Sequence, residues 1–282
     1  MQDLDLPSRL LAKARRLTTP CGGGDLVWHT WGEPGPGRVP VVLLHGGSGS
    51  WTHWIRNIEP LVALGHHLIV PDLPGFGDSQ ALPGSSDADA IVVPLEAGLA
   101  QLLGDASCQM VGFSFGGLTA GLWLAQHPAR ATRLVLVGAP AMGVVPQRQF
   151  ELKGWRHLPE GEARRDVHRY NLSALMLHDP ALIEGLALRL HEENVARDRM
   201  PRRRLAHTDA LARALPAIAC PVHAIYGERD ALYKSWITDL EAAYRRVTPD
   251  LRGFALIEGA GHWVQFEAPE RFDAELARAL AD

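Results

Sequence analysis

The chain has 282 residues, of which 46% are hydrophobic, so it is long enough for one large or two ordinary domains with a substantial core. Its formal net charge is −4, and the basic residues are scattered apart from short runs such as 202–204, which argues against a nucleic-acid partner. The three cysteines are widely spaced and form no CxxC pair, which argues against a disulfide framework, a zinc site or a redox motif.

The N-terminal sequence MQDLDLPSRL carries acids where a secretory signal has a basic start and an apolar core. No apolar run approaches the roughly 18 residues needed to span a bilayer. We therefore expect a soluble cytoplasmic protein that binds no membrane, a location that also suits unpaired cysteines.

Short apolar runs bounded by Gly, Pro and Asp alternate with longer amphipathic segments. This pattern predicts buried parallel strands linked by helices, and hence an α/β fold. Residues 25–31 alternate like a half-exposed edge strand, and helices are predicted for about 90–103 and 116–127. In chain order, the predicted strands are 25–31, 39–46, 67–75, 108–113, 133–140, 222–227 and 253–259.

Residues 141–219 break this pattern, because they show helical periodicity and many charges but no convincing strand. The segment falls between two predicted strands, which favours a helical cap over their carboxyl ends, where ligands bind in open α/β sheets. The predicted domains are thus a core of 1–140 and 220–282 and a cap of 141–219.

A G-x-S-x-G pattern formed by Gly112, Ser114 and Gly116 lies directly between a predicted strand and a predicted helix. The bare pattern is weak in a chain with 28 glycines, but the strand-turn-helix setting is specific, and the alternative is a serine in an ordinary turn. Glycines let the strand and helix approach closely, so the turn presents Ser114 outwards as a nucleophile. The N–H of Phe115 would then face a developing oxyanion.

A serine hydroxyl needs a neighbouring base, and the chain has thirteen histidines. His262 is the strongest candidate because it follows the last predicted strand and so lies at the same end of the sheet as Ser114. His45 and His127 are its rivals, but His45 can tie its loop by hydrogen bonds and His127 closes a helix before Pro128.

The base must be held in one tautomer by an acceptor, and Asp230 follows the penultimate predicted strand at the required end of the sheet. Glu228 is the runner-up. Asp72 and Asp78 are more simply explained as turn formers.

A second oxyanion donor is expected from the glycine-rich loop in LLHGGSGSWTHW, and we choose the N–H of Gly47. A phosphate-binding loop is the competing interpretation. It is disfavoured because no Lys-Ser or Lys-Thr follows and a G-x-G-x-x-G spacing is absent.

Five motifs, in the order HGGSGSW, PDLPGFGDS, GFSFGG, YGERD and GAGHW, resemble the α/β-hydrolase superfamily from about residue 39 onwards. The resemblance implies an α/β-hydrolase fold, with a mostly parallel eight-stranded sheet and a lidded pocket, and it implies neither a metal nor an organic cofactor. The catalytic residues that it implies are Ser114, Asp230 and His262, with oxyanion donors at Gly47 and Phe115.

Among the relatives, serine at position 114 argues against dehalogenases and epoxide hydrolases. The sequence GHWVQFE resembles the meta-cleavage-product hydrolases, which cut a C–C bond beside a ketone, and this likeness implies that Trp263 lies in the pocket. However, HGGSGS and SFGG differ from the HGSGPG and SMGG of those enzymes, and neither Arg189 nor another cap arginine can be matched to theirs. We therefore expect a carboxylesterase-like serine hydrolase first and a C–C hydrolase second.

Four tryptophans lie on segments that would frame the pocket, namely Trp51, Trp54, Trp155 and Trp263. They predict a small apolar or aromatic substrate, although any one of them could be a core residue instead. A non-catalytic ligand receptor and a cofactor-free perhydrolase remain open alternatives on the same fold. A small-molecule substrate is the only partner we expect, and the oligomeric state is left open, with a homodimer as one candidate.

Overall fold

The computed structural model describes residues 4–84, 87–146, 150–200 and 202–282, and an eight-stranded sheet lies at its centre. In chain order, the strands are β1 (Arg15–Cys21), β2 (Gly24–Trp31), β3 (Val41–Leu44), β4 (Leu68–Pro71), β5 (Cys108–Phe113), β6 (Ala131–Val137), β7 (Val222–Gly227) and β8 (Leu251–Ile257). They lie side by side in the order β1-β2-β4-β3-β5-β6-β7-β8. Strand β2 is antiparallel to both of its neighbours, and all other pairs are parallel. The predicted α/β class and mostly parallel sheet are confirmed.

Alternate residues of the central strands pack on opposite faces of the sheet. In β3, Val42 and Leu44 belong to one apolar cluster, and Val41 and Leu43 belong to the other. All four side chains are buried, because helices cover both faces of the sheet.

The two helices predicted with bounds, about 90–103 and 116–127, are confirmed within two residues at each end, and the structure contains further helices. The α-helices are α1 (Leu6–Lys13), α2 (Ile58–Ala63), α3 (Ala88–Leu103), α4 (Phe115–Gln126), α5 (Glu162–Asn171), α6 (Leu186–Ala196), α7 (Ala210–Ala214), α8 (Ile237–Val247), α9 (Val264–Glu267) and α10 (Pro269–Ala281). Helix α3 begins two residues before its predicted start, because the side chain of Asp87 accepts the N–H of Ala88 and caps the helix. Across the described ranges, no helix has both the length and the apolar character needed to cross a membrane.

The prediction that residues 25–31 form an edge strand is wrong. Strand β1 pairs with β2 along its whole length and occupies the edge instead. The sequence did not reveal β1, because this strand is mostly exposed and includes Arg15, Arg16 and Pro20. Proline is tolerated at such an edge, where its missing N–H removes no internal hydrogen bond.

The segment between β6 and β7, residues 138–221, is called here the β6–β7 segment. Its described residues contain α5, α6 and α7 but no strand, as predicted for the cap. Its last part lies against helix α4: Leu211 packs where a side chain at Gly121 of α4 would otherwise sit. The N–H of Leu211 donates to the carbonyl of Ala141, near the start of the segment. The division into core and cap domains stays a prediction.

Candidate active site

Ser114 occupies a sharp turn between β5 and α4. Its backbone has φ 50° and ψ −118°, a conformation that costs a non-glycine residue about 1–3 kcal/mol and persists only where its surroundings hold it. A Cβ at Gly112 would lie 2.5 Å from the carbonyl oxygen of Gly116, and one at Gly116 would lie 2.5 Å from that of Leu44. No side chain fits at either glycine, so the strand and helix approach closely enough to force the Ser114 side chain outwards.

The three predicted catalytic side chains form a continuous chain of hydrogen bonds. The Nε2 atom of His262 lies 2.9 Å from Oγ of Ser114, and Nδ1 lies 2.8 Å from Oδ2 of Asp230. Asp230 is fully buried, and its second oxygen accepts the N–H of Leu232 at 2.9 Å. A carboxylate can only accept, so Nδ1 of His262 carries the proton and Nε2 is free to accept the Ser114 proton.

The rival histidines are engaged elsewhere. Nε2 of His45 accepts the N–H of Leu73 at 2.8 Å, which leaves its Nδ1–H to donate to the carbonyl of Gly46 at 2.7 Å. Burial lowers the pKa of His45, so the ring is neutral and ties two loops together. His127 follows the last residue of α4, as predicted.

The rival carboxylates also have other partners. Glu228 accepts the N–H of Gly259 at 3.1 Å and pairs with exposed Arg229. Asp72 accepts the N–H groups of Trp51 and Asp78, both at 2.9 Å, as expected of a turn former.

Two backbone N–H groups remain the candidate oxyanion donors. Phe115 is the first residue of α4, so its N–H has no acceptor within the helix. On the opposite side, a Cβ at Gly46 would lie 3.2 Å from Cβ of Ser114, which brings this loop next to the serine. The N–H of Gly46 donates to Nδ1 of His53 at 3.1 Å, which leaves the next donor, Gly47, as the candidate. Both assignments stay predictions.

His53 was not singled out from the sequence, yet it contacts the glycine loop and lines the cavity. Burial, followed by the nearby rings of His45, His191 and His262, lowers its pKa well below the ordinary value of 6.5. The ring is therefore neutral, and because Nδ1 accepts from Gly46, its proton is on Nε2.

Glu267 anchors the loop that carries His262 and was also missed. One of its oxygens accepts the N–H groups of His178 and Asp179 at 2.9 and 2.5 Å, and the other accepts that of Gly261 at 2.6 Å. The N–H of Trp263 donates to the carbonyl of Met176 at 2.7 Å. The histidine loop is thus attached to the β6–β7 segment. The signal in the sequence was weak, since a glutamate five residues after a histidine has many ordinary explanations.

The sequence profile described as "Alpha/beta hydrolase family" matches residues 41–275. This chain belongs to the alpha/beta hydrolase family. The match extends from β3 into α10 and therefore includes every element that carries Ser114, Asp230 and His262.

Similar proteins include both C–C hydrolases and esterases. A 2-hydroxy-6-oxo-6-phenylhexa-2,4-dienoate hydrolase of Burkholderia cepacia is 27% identical over 254 residues, covering 86% of this chain and 87% of the relative. The structure of a thermophilic esterase from Thermogutta terrifontis matches with a TM-score of 0.69 and 25% identity, covering 95% of this chain and 98% of that one. A meta-cleavage product hydrolase from Pseudomonas fluorescens matches with a TM-score of 0.74 at 22% identity, covering 94% and 97%, and this likeness indicates the fold alone.

In this alpha/beta hydrolase, a cavity of about 740 Å³ opens onto Ser114 and His262. Its walls come from the glycine loop, from α4 and from the β6–β7 segment. The apolar and aromatic lining side chains include Phe113, Phe150 and Trp155. His191 also lines the cavity, and burial lowers its pKa to about 3, so it is uncharged at neutral pH.

Of the four tryptophans predicted to bind substrate, Trp155 lines the cavity. The structure does not bring the other three into the lining. Trp51 packs against both His29 and Trp31, and fully buried Trp54 packs against Phe113. Trp263 lies behind the cavity wall, where its Nε1–H donates to the carbonyl of His53 at 2.9 Å.

Arg189 points away from the cavity. Its Nε donates to Glu193 at 2.8 Å, and its Nη1 donates to the carbonyl of Leu4 at 2.9 Å.

Among the described residues, no group of His, Cys, Asp and Glu is arranged to hold a metal ion.

Proposed function

We propose that this hydrolase cleaves a carboxylic ester of a small apolar or aromatic substrate through an acyl-enzyme. Ser114 is the nucleophile, His262 is the base and Asp230 orients the base. The single observation that supports this assignment is the pair of hydrogen bonds, 2.9 and 2.8 Å long, that joins the three side chains at the wall of the large cavity.

In the first half of the reaction, Nε2 of His262 takes the Ser114 proton while Oγ forms a bond to the ester carbonyl carbon. The imidazolium is stabilised by Asp230 and then gives the proton to the departing alkoxide, as the C–O bond breaks and the acyl-enzyme forms. In the second half, His262 deprotonates water, which attacks the acyl carbon. The carboxylic acid leaves, and the proton returns to Ser114.

Negative charge develops on the carbonyl oxygen in both tetrahedral intermediates. We assign its stabilisation to the N–H groups of Gly47 and Phe115, each contributing about 3 kcal/mol to lowering the barrier. Both donors are backbone groups, so they are already oriented before the substrate arrives.

C–C bond hydrolysis of the meta-cleavage type is the second candidate, because the relative from Burkholderia cepacia is a hydrolase of a dienoate. A dienoate carries a carboxylate, which calls for a cation in the cavity. Arg189 does not supply one, since its guanidinium donates hydrogen bonds to the carboxylate of Glu193 and to the carbonyl of Leu4. Lys153, Arg156 and Arg203 do line the cavity, so the need for a cation does not separate the two reactions. The esterase from Thermogutta terrifontis is a relative of similar fold that supports the ester.

The first experiment is labelling with a fluorophosphonate probe followed by peptide mapping. We expect the probe on Ser114 in the native protein and no labelling of Ser114→Ala. Ser173→Ala, which changes an exposed serine of the β6–β7 segment, serves as the matched control. Labelling at another residue would overturn the site assignment.

Turnover of p-nitrophenyl esters and of a meta-cleavage product then separates the two reactions. The proposal expects ester hydrolysis across apolar and aromatic acyl groups, with kcat/KM at least about tenfold higher than for the C–C substrate. The reverse ranking would make C–C hydrolysis the function, and stoichiometric binding without turnover would contradict both.

We also propose a cytoplasmic location, with the small-molecule substrate as the partner. The thiols of Cys21, Cys108 and Cys220 are all free and buried, which suits a reducing compartment. Cell fractionation tests the location, and light scattering tests the homodimer that remains a candidate.

A further inference from the structure

The glycine loop continues into a second strained residue. Ser48 has φ 50°, and Ser114, Ser48 and Ala141 are the non-glycine residues with positive φ in the described chain. Such a conformation persists only where neighbouring groups hold it, and it often marks a functional position. Ser48 directly follows Gly47, so holding Ser48 in place also holds the C-terminal side of the residue that carries the candidate donor.

The groups that hold Ser48 come from the β6–β7 segment. Its Oγ donates to Oδ2 of Asp198 at 2.5 Å and accepts from Nη2 of Arg203 at 3.0 Å. Nη1 of Arg203 donates to the same Asp198 oxygen at 2.7 Å. These three residues, called here the loop clasp, close a triangle in which the Asp198 side chain is 9% exposed. Partial burial strengthens such charge-assisted hydrogen bonds.

The guanidinium of Arg203 also lies over the loop itself. A Cβ at Gly47 would be 3.3 Å from Nε of Arg203, so the arginine packs against the backbone that carries the candidate donor. Asp198 is fixed in turn, because its other oxygen accepts the N–H of Met200 at 2.9 Å.

A second contact joins the same loop to the same segment. Oγ of Ser50 donates to Oδ1 of Asn194 at 2.8 Å, and Nδ2 of Asn194 donates to Oγ1 of Thr52 at 3.0 Å. All three groups are buried. The loop is thus attached on both sides of Gly49, and the loop clasp is the attachment nearer to Gly47.

We propose that Asp198 and Arg203 are positioning residues, which act through Ser48 to aim the Gly47 N–H at the oxyanion. The inference rests on the proposed function, because it assigns a task only if Ser114 attacks a carbonyl. Both side chains line the cavity, but this role does not require either of them to touch the substrate. Their effect is to make the oxyanion site complete only when the β6–β7 segment is docked on the loop.

Oxyanion stabilisation acts in the transition state, so loss of the loop clasp should lower kcat more than it raises KM. Removing one oxyanion donor costs about 100- to 1000-fold in rate. A donor that is misaimed but still present should cost less, and we expect kcat to fall about 10- to 50-fold.

The test compares Arg203→Met and Ser48→Ala with the wild type on p-nitrophenyl esters. Each variant should lose about 10- to 50-fold in kcat with KM changed less than about threefold, and the double variant should lose about as much as either single variant. Arg213→Met is the matched control. It removes an arginine from an exposed ion pair with Asp209 in the same segment, so it should leave kcat unchanged.

A trifluoromethyl ketone inhibitor separates positioning from a merely structural role, because its tetrahedral adduct on Ser114 carries the oxyanion. Its affinity should fall by the same factor as kcat in each variant, while the melting temperature stays near that of Arg213→Met. Arg203→Lys should recover part of the loss, since lysine retains the charge but not the two-pronged geometry.

Ser48→Gly gives the opposite control, because glycine adopts the positive φ without strain but has no hydroxyl. We expect it to lose as much activity as Ser48→Ala. Full activity in Ser48→Gly, or unchanged inhibitor affinity in Arg203→Met, would overturn the inference. If the wild type forms no adduct and hydrolyses no ester, the proposed function itself has failed instead.

Discussion

The turn at Ser114 and the β6–β7 segment both build the site, but different forces hold them. At the turn, the backbones of β5 and α4 are so close that glycine is the one residue that fits at Gly112 and Gly116. The segment is attached to the site loops by side-chain hydrogen bonds instead, through the loop clasp and through Glu267. Steric exclusion tolerates no change, whereas a hydrogen bond can be weakened in steps. The two regions should therefore respond differently to mutation.

The largest expected effect is at the nucleophile. Ser114→Ala should reduce ester turnover at least about 10,000-fold, because no other group can form the acyl-enzyme. The melting temperature should remain close to that of the wild type, since alanine takes the same space at the turn. Steady-state kinetics and thermal unfolding measure the two outcomes, and substantial residual turnover would contradict the assignment.

The same glycine-to-alanine change should separate the two regions. Gly116→Ala places a Cβ 2.5 Å from the carbonyl oxygens of Leu44 and His45, so we expect a loss of at least about 3 kcal/mol in the free energy of unfolding, or failure to fold. Gly154→Ala, in the β6–β7 segment, meets its nearest atom at 4.0 Å and should change stability by less than about 0.5 kcal/mol. Denaturant unfolding of both variants tests the contrast, and equal losses would remove it.

An intermediate effect is expected where the segment meets the histidine loop. Glu267→Ala leaves the N–H groups of His178, Asp179 and Gly261 without their acceptor, which should cost about 2 kcal/mol in stability and about tenfold in kcat. Glu267→Gln keeps one acceptor oxygen and should fall between alanine and wild type. If Glu267→Ala retained full kcat, the loop would not depend on this contact.

The smallest effect concerns Asp273, a partly buried carboxyl group in α10. Burial raises the pKa of Asp273 to about 6, since one hydrogen bond from Asn57 offsets only part of the desolvation. The folded protein therefore binds this proton more tightly than the unfolded chain, and stability falls as pH rises from about 4 to about 6.

Asp273→Asn should consequently be more stable than the wild type at pH 8 by about 1 kcal/mol, a figure reduced for the partial exposure of the group. At pH 4 the two proteins should be nearly equal. Thermal unfolding at both pH values provides the measurement, and a destabilised variant at pH 8 would contradict the sign.

The sequence predicted what depends on strand ends and backbone sterics. Ser114, Asp230 and His262 each follow a parallel strand, and parallel strands end at one edge of the sheet, so their proximity could be inferred without coordinates. The glycines around Ser114 were informative for the same reason.

Side-chain orientation was not predictable in this way. Trp263 follows the candidate base, yet its indole N–H donates to the His53 carbonyl and the ring does not line the cavity. The sequence could not indicate this orientation, because the acceptor is more than 200 residues away in the chain. Arg203 lies in a polar stretch without periodicity, so nothing local indicated that it contacts Ser48. Strand β1 was missed because it is rich in polar residues and buries few of them.

The attachment of residues 46–52 to Asn194, Asp198 and Arg203 has a consequence for protein engineering. A lid taken from another hydrolase and grafted onto this scaffold would arrive without the groups that shape the loop beneath it. Recombination libraries should therefore exchange both pieces of chain together as one cassette, even though about 140 residues separate them in the sequence.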